Sequence, residues 1–344
     1  MSTRNIVPRN DGEGSLGTAE KKWGETNTNK LTVTTADIET GTADKLTVTT
    51  ADIETGTADK LTVTTADIET GTADKLTVTT ADIKNLSELI LSSVIPHTAA
   101  SHNAFYRGKD LTSYFTSGNM STAIAAGTFD DIFPGDYIIK SVTVDGTTYS
   151  DVKWIVGDLD YHLHHGDTET TAHHVVLFPE DNIGTARMNS TNTTVGGYQN
   201  CEMWTTTLPK YTTGIVNAFG SDHVFTHRER LTKAIDSNAY SGAGGMGNGA
   251  TIYTDGEWTN VTVNLFNEAM MYGHAPFASS GRDTYDCNKQ IAAFRYGQNF
   301  TRNSWCWLRD VASAAFFAAA HSYGEADCDY ASSVNGVRPY FLLH

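Results

Sequence analysis

Aromatic residues are nearly missing from the first quarter of the chain. Residues 1–95 contain no phenylalanine or tyrosine and one tryptophan, Trp23, whereas all 15 tyrosines and all 14 phenylalanines lie beyond residue 95. A chain of 344 residues is long enough to bury a sizeable core, but only the C-terminal part has the side chains of an aromatic-rich one. The N-terminal part needs another source of stability.

A surplus of basic residues is also lacking. Residues 1–95 carry 9 basic and 15 acidic residues, the rest of the chain carries 15 and 25, and the net charge is −16. Neither part has a basic stripe, which argues against nucleic-acid and anionic-membrane partners.

Long apolar runs are absent as well. No segment approaches the length that spans a bilayer, and the opening MSTRNIVPRNDGEG lacks the apolar stretch of a signal peptide. We therefore expect no membrane insertion, and synthesis and assembly in a cytosol. The cysteines Cys201, Cys287, Cys306 and Cys328 are far apart and form no CxxC motif, so reduced thiols are expected.

The N-terminal part consists largely of repeats. The fifteen residues LTVTTADIETGTADK at 31–45 recur at 46–60 and 61–75, and LTVTTADI follows at 76–83. Thr, Val and Ile favour extended chain, and each Ala-Asp supplies a turn. The apolar positions are too sparse for a core within one chain, so a β-rich shaft of three chains is predicted over 31–84. A disordered threonine-rich linker is the alternative.

A short amphipathic helix is predicted over residues 85–96. Asn85 and Glu88 form a capping-box pattern, and Pro96 ends the segment. One face of the helix carries Leu86, Leu89 and Ile90. Such a helix is marginal alone but packs against its symmetry mates, which predicts a helical neck within a homotrimer.

Residues 1–30 contain a short motif ahead of the repeats. It consists of Gly14, Leu16, Gly17, Thr18, Lys22 and Trp23. This motif resembles one near the start of phage tail-fibre and other virion surface proteins. The resemblance implies that residues 1–30 attach the chain to a phage tail or baseplate protein.

The remaining residues, 97–344, alternate short β-like runs with glycine, asparagine and aspartate turns. Strands are predicted over 136–144, 152–165 and 173–179, and helices over 120–129 and 223–236. In the second helix Val224, His227 and Leu231 share one stripe, and 261–273 fits a helix from Val263 without excluding a strand. These elements predict an α+β domain with a loop-rich sheet.

Two motifs bracket the C-terminal stretch of this domain. The first is Trp305-x-Trp307-Leu308-Arg309-Asp310, and the second runs from Asn335 to Tyr340 as NGVRPY. Together with the segments 127–137, 188–198 and 226–235, they resemble C-type-lectin-fold heads related to formylglycine-generating enzyme, found in phage tail proteins. The resemblance covers most of 105–344 and implies a C-type-lectin-like head over 97–344, without implying calcium or sugar binding.

The residues between these brackets are candidates for receptor contact. In relatives carried by diversity-generating retroelements this stretch is rewritten, and its positions carry mixed small, polar and aromatic residues. The corresponding residues are Cys306, Phe316, His321, Ser322, Tyr323, Glu325, Asp327, Cys328, Asp329 and Tyr330. Aromatic rings beside hydrogen-bonding groups suit recognition, and an ordinary polar loop is the alternative. Trp305 and Trp307 are predicted to share a core-facing side, and Arg309, Asp310 and Arg338 to form an internal charge network.

A histidine-rich segment, YHLHHGDTETTAHH, spans residues 161–174. If it forms a hairpin, His164 and His174 meet across neighbouring strands with Asp167 nearby, which predicts a possible site for zinc or another transition metal. Structural hydrogen bonding of these histidines is the alternative, because no HExxH motif is present. No other cofactor is expected.

These features predict a non-enzymatic tail-fibre protein of a phage virion that recognises a host-cell surface receptor through its C-terminal head. A tail-tip polysaccharide depolymerase is an alternative, in which a glycosidase pair would come from Asp158, Asp160, Asp167 or Glu169. No β-helix or dedicated hydrolase domain is evident. A bacterial surface adhesin is a further alternative, weakened by the missing secretion signal.

Overall fold

The computed structural model describes residues 95–235, 254–277, 289–296 and 304–344. These residues belong to the second of two units of the chain, Ser87–His344. The predicted attachment segment, shaft and nearly all of the predicted neck lie outside the described residues, as does Cys287.

The described part mixes α and β structure, with strands predominating. Its helices are α1 Ala99–His102, α2 Thr112–Thr116, α3 Asn119–Ala125, α4 Leu208–Phe219 and α5 Glu268–Tyr272, with 3-10 turns at Tyr198–Asn200 and Ala292–Arg295 and a π-helical stretch at Met203–Thr207. Its strands are β1 Tyr137–Ile139, β2 Val142–Val144, β3 Thr147–Tyr149, β4 Lys153–Leu159, β5 Val175–Pro179, β6 Thr185–Ala186, β7 Val224–Phe225, β8 His227–Ile235, β9 Thr254–Val261, β10 Val263–Leu265, β11 Cys306–Val311, β12 Phe316–Ala320, β13 Ala326–Tyr330, β14 Asn335–Gly336 and β15 Pro339–Leu343. None of these helices has the length and apolar character that a bilayer-spanning helix needs.

An antiparallel central sheet has the strand order β10–β15–β5–β4–β1, and β7 also pairs with β15. Strands β5 and β15 are buried along their whole length, because apolar side chains cover both faces of the sheet. Leu177 and Phe341 enter a first core around Trp154 and Trp307, whereas Phe178 and Tyr340 enter a second core around Phe266. The alternation of side chains along each strand therefore builds two cores from one sheet.

A second sheet has the order β13–β12–β11–β14–β6. Its pairs are antiparallel except for β11 and β14, which run parallel and meet at Cys306 and Gly336. Trp307 lies in the first core with Trp305 packed against it, while Cys306 lies in the second. The predicted alternation of the two tryptophans and the cysteine is thereby confirmed.

Several predicted elements are confirmed and others are wrong. The predicted helix at 120–129 overlaps α3, which begins one residue earlier and ends at Ala125, and the runs at 136–144 and 173–179 contain β1, β2 and β5. The predicted helix at 223–236 is wrong: the segment forms β7 and β8, and β8 pairs with β9. From His227 to Leu231 the buried residues of β8 are His227, Glu229 and Leu231, and the intervening arginines are partly exposed, so burial there follows the two-residue period of a strand. Thr232, the next residue, is buried as well.

Two more predicted elements differ in extent. The strand predicted over 152–165 ends at Leu159, and the chain then turns through Asp160 and His164, which both have positive φ angles. The ambiguous segment 261–273 divides into strand β10 and helix α5. Asn267 separates them because its side chain accepts the Met270 N–H and caps the helix.

Candidate functional site

The predicted receptor-contact stretch forms a β-hairpin, not a loop. Strands β12 and β13 pair from Phe316 opposite Tyr330 to Ala320 opposite Ala326. The turn between them closes where His321 N–H donates to the Glu325 carbonyl at 2.9 Å and Gly324 N–H donates to the His321 carbonyl at 2.8 Å. Gly324 has φ +95°, a conformation that glycine adopts without strain.

A series of contacting rings leads from the interior to the tip of this hairpin. Trp305, packed against the first core, meets His321 with ring centroids 4.3 Å apart, and His321 meets Tyr323 at 4.7 Å. Tyr323 is 83% exposed. At the opposite end Phe316 contacts Tyr330 at 4.1 Å. The hairpin therefore holds two tyrosine rings at the surface on neighbours that restrict their motion.

Strand β13 is the outermost strand of the second sheet in the described part of the chain. Asp327 Oδ1 accepts the Cys328 N–H at 2.7 Å, and Asp329 Oδ1 accepts the Tyr330 N–H at 2.7 Å. Asp329 Oδ2 also accepts from Asn335 Nδ2 at 3.0 Å. Because acidic side chains occupy these backbone donors, the edge disfavours addition of a further strand. The outer surface of β13 therefore presents side chains more readily than free backbone donors at Cys328 and Tyr330.

The hairpin lies in a negative electrostatic environment. Residues 311–335 contain Glu325, Asp327 and Asp329 and no lysine or arginine. Burial raises the pKa of the Cys328 thiol, and together with the charges of Asp327 and the buried Glu268 it brings the pKa to about 12. Burial likewise raises the pKa of the Tyr272 hydroxyl, with contributions from Cys306 and Glu268. Neither thiol nor phenol is ionised near neutral pH, so the carboxylates determine the local charge.

The predicted contact residues differ in accessibility. Tyr323, Glu325 and Tyr330 are exposed, and the half-buried members are Phe316, His321, Ser322, Asp327, Cys328 and Asp329. Cys306 is 1% exposed and faces the second core, so its prediction as a receptor contact is wrong. Cys201, Cys306 and Cys328 are free thiols.

The structure does not bring His164, His174 and Asp167 together, and the predicted pairing of the two histidines across neighbouring strands is wrong. Neither histidine lies in a strand. His164 is exposed, with Nδ1 2.5 Å from a Glu169 carboxylate oxygen, and Asp167 is bound by Arg228 through two hydrogen bonds of 2.7 and 2.8 Å.

His174 is engaged with its own segment. Its Nε2 accepts the His162 N–H at 3.0 Å, and its Nδ1 donates to the Ala172 carbonyl at 2.9 Å. Both ring nitrogens are thereby used, which matches the structural alternative for this residue.

A different trio of metal-ligand types meets in the interior: His162, His227 and Glu229, each buried, place candidate ligand atoms within 4.8 Å of one another. The sequence pattern missed this cluster because it assigned His227 and Glu229 to a helix. The two-residue spacing of His227, Glu229 and Leu231 was the available signal.

Hydrogen bonds already surround the Glu229 carboxylate. Oε1 accepts from Tyr340 Oη at 2.5 Å, His227 Nε2 at 2.9 Å and Asn264 Nδ2 at 3.3 Å, and Oε2 pairs with Arg309. Burial raises the pKa of Glu229, but Arg309 and then His227 outweigh burial and hold the pKa well below its usual range.

His162 and His174 are neutral near pH 7. Burial lowers the pKa of His162, and burial lowers that of His174 to about 3. The Glu229 carboxylate is paired with the Arg309 guanidinium, and both of its oxygens accept hydrogen bonds. The arrangement stabilises the junction of β8, β11 and β15 as an ion-pair network.

Asp310 and Arg338, the other charges named from the sequence, are buried as predicted, and each binds a backbone group. Asp310 Oδ2 accepts the Glu268 N–H at the start of α5, and burial raises the pKa of Asp310 to about 7. Arg338 donates Nε to the Pro179 carbonyl at 2.9 Å and lies over the Phe178 ring at 4.9 Å. These residues tie the bracket motifs to the central sheet.

The carboxylates considered for glycoside hydrolysis each have a separate partner. Asp158 accepts from Asn103 Nδ2 at 3.0 Å and the Ala292 N–H at 2.8 Å, and burial raises its pKa to about 6. Asp160 is 2.7 Å from His173 and accepts the His174 N–H.

An open cleft of about 380 Å³ lies beside Arg228, lined by residues 168–170, 225–228 and Asn260. Its exposed carboxylate, Glu169, is paired with His164. Glu169 is the one carboxylate among the residues that line the cleft, so the lining does not contain the pair that glycoside hydrolysis needs.

Comparison of the sequence with models of protein families, with curated proteins and with solved structures found no match.

Proposed function

We propose that the chain is a non-enzymatic receptor-binding protein of a phage tail fibre, with a homotrimeric shaft and a C-type-lectin-like head. The observation that carries the proposal is the hairpin Phe316–Tyr330, which holds Tyr323 83% exposed and Tyr330 41% exposed on supporting rings. Ordered aromatic side chains at a surface provide contact area at low entropic cost. Three heads on one stalk multiply a weak contact into stable adsorption.

The experiment measures adsorption of the labelled full-length protein to a panel of bacterial strains by flow cytometry. Tyr323→Ala and Tyr330→Ala are expected to reduce adsorption by about tenfold or more, as for an aromatic hot spot. Phe105→Ala is the matched control, because Phe105 is also an exposed ring, at 47%, and lies outside the hairpin. Melting temperatures of all variants should stay close to that of the wild type.

Normal adsorption by both tyrosine variants would remove the hairpin as the receptor site, and the cleft beside Arg228 would be tested next. A polysaccharide depolymerase would instead clear capsule from the cells, which microscopy of the same samples detects.

A further inference from the structure

We infer that the Phe316–Tyr330 hairpin binds a cationic protein partner, a surface segment that presents lysine or arginine. This inference rests on the proposed receptor-binding function and adds the chemistry of the receptor.

The first basis is the arrangement of the exposed rings. Tyr323 contacts His321 with centroids 4.7 Å apart, and His321 in turn contacts Trp305. The contact with His321 restrains the Tyr323 ring while leaving most of its surface in solvent. An exposed tyrosine face attracts ammonium and guanidinium groups through its quadrupole.

The second basis is the charge around these rings. Glu325 has 55% of its side chain exposed and lies 3.3 Å from His321, beside Tyr323 in the same turn. Asp327 follows two residues later on β13, which is the outer strand. No lysine or arginine occurs from 311 to 335, and the neighbouring Arg309 and Arg338 are each 2% exposed. Within residues 311–335, a cation that approaches Tyr323 therefore meets carboxylates and no lysine or arginine.

The third basis is what this surface disfavours. A phosphate-rich polymer or another polyanion would be repelled by the three acidic residues of the hairpin. A further strand would find the backbone donors of Cys328 and Tyr330 already occupied. A cationic side chain can lie on the face of Tyr323 and pair with Glu325 or Asp327 at the same time.

The test compares two variants with equal loss of charge. Glu325→Gln with Asp327→Asn removes two of the three carboxylate charges of the hairpin and keeps the oxygen that accepts the Cys328 N–H. Asp145→Asn with Glu257→Gln neutralises two exposed carboxylates elsewhere, which pair with Lys210 and Lys233. Adsorption of the full-length proteins to a strain that binds the wild type is measured from 50 to 500 mM NaCl. A second measurement uses the same cells after acetylation of their surface lysines.

The hairpin variant is expected to lose adsorption about tenfold or more at low salt, and the control variant to keep it. Wild-type adsorption should fall as the NaCl concentration rises, and it should fall after acetylation or trypsin treatment of the cells. An arginine-rich peptide should compete with the cells for the wild-type protein, whereas the polyanion inositol hexakisphosphate should not. If Tyr323→Ala abolishes adsorption while the Glu325→Gln, Asp327→Asn variant binds normally at every salt concentration, the partner is neutral, such as a glycan, and the inference is overturned although the proposed function stands. If neither Tyr323→Ala nor the Glu325→Gln, Asp327→Asn variant loses adsorption, the hairpin is not the receptor site, and both the inference and the hairpin's part in the proposed function fail.

Discussion

Arg309 on β11 and Glu229 on β8 form an ion pair in the protein interior, 80 residues apart in sequence. The two side chains are 2% and 0% exposed. The pair joins the bracket motif near the C-terminus to the β8–β9 hairpin. Because both groups are removed from water, the loss of either one leaves the other as an uncompensated buried charge.

Arg309→Met should therefore destabilise the protein by about 3–5 kcal/mol, measured as a shift of the urea unfolding midpoint by tryptophan fluorescence. Adding Glu229→Gln should recover part of the loss, because it removes the stranded charge. Lys210→Met is the matched control: its ion pair with Asp145 is 45% and 65% exposed, so less than about 1 kcal/mol is expected. If Lys210→Met and Arg309→Met lower the free energy of unfolding equally, the Arg309–Glu229 pair does not behave as a buried ion pair.

Only one half of this ion pair could be located from the sequence. Arg309 follows a Trp-x-Trp alternation, which correctly indicates a buried strand. Glu229 lies where Val224, His227 and Leu231 satisfy a helical spacing, so a helix was predicted. A buried glutamate hides the apolar alternation of a strand, and only its distant partners, Arg309 and Tyr340, make its burial favourable.

The candidate site shows the same limit. Tyr323 and Tyr330 were identifiable because large rings among alanine, serine and acidic residues have no evident core function. The hairpin geometry of the stretch was missed, because short alanine-rich strands carry a weak β signal. Histidine crowding suggested His164 with His174, but the buried cluster recruits His227 from a segment remote in sequence. Spacing cannot reveal such long-range contacts.

Gly336 is predicted to be intolerant of a side chain. A Cβ there would overlap the Asn182 side-chain amide and come within 2.6 Å of the Trp305 carbonyl oxygen. Asn182 cannot move freely because its Nδ2 donates to the Trp305 carbonyl at 3.0 Å and to Ser304. Gly336→Ala should cost about 1–3 kcal/mol by overpacking, seen as a lower melting temperature. Gly220→Ala is a control for a different cause, backbone strain at φ +98°, since the atom nearest to a Cβ at Gly220 is 3.5 Å away. If Asn182→Ala restores no part of the stability lost in Gly336→Ala, overlap with the Asn182 side chain is not the cause of that loss.

Acid should destabilise the head through its buried histidines. Burial lowers the pKa of His174 to about 3, below the value of about 6.5 in an unfolded chain. Its contribution to stability is therefore complete above pH 6.5 and is lost as the pH falls towards 3, at up to about 1.4 kcal/mol per pH unit. Asp158 acts in the opposite direction between about pH 6 and its unfolded value of about 3.9, because burial raises its pKa to about 6.

His174→Gln isolates this effect, because the glutamine oxygen can accept the His162 N–H without titrating. The melting temperature of the variant should fall less steeply between pH 7 and pH 4 than that of the wild type. Parallel curves for the two proteins would show that His174 does not contribute to the acid sensitivity. His164→Gln, at an exposed position, is the control and should leave the wild-type curve unchanged.

The repeats are predicted to set the length of a trimer without being needed for the fold of the head. Leu31, Val33 and Ile38 recur in each copy among threonines and acidic residues, so three chains are required to enclose the apolar side chains. Sedimentation equilibrium of the full-length protein at micromolar concentration should give three times the chain mass of 37.3 kDa. In-frame deletion of 46–75, two whole repeats, keeps the register and should retain the trimer. The shortened trimer should have a higher sedimentation coefficient than a particle of the same mass that is as elongated as the full-length trimer.

Aspartate substitutions test whether the repeats share an axis. Replacing Val33, Val48 and Val63 with aspartate places like charges on the shared axis and should dissociate the shaft. Replacing the neighbouring threonines Thr34, Thr49 and Thr64 with serine should not. A monomeric mass for the unmodified protein would exclude the trimeric shaft and favour the disordered linker.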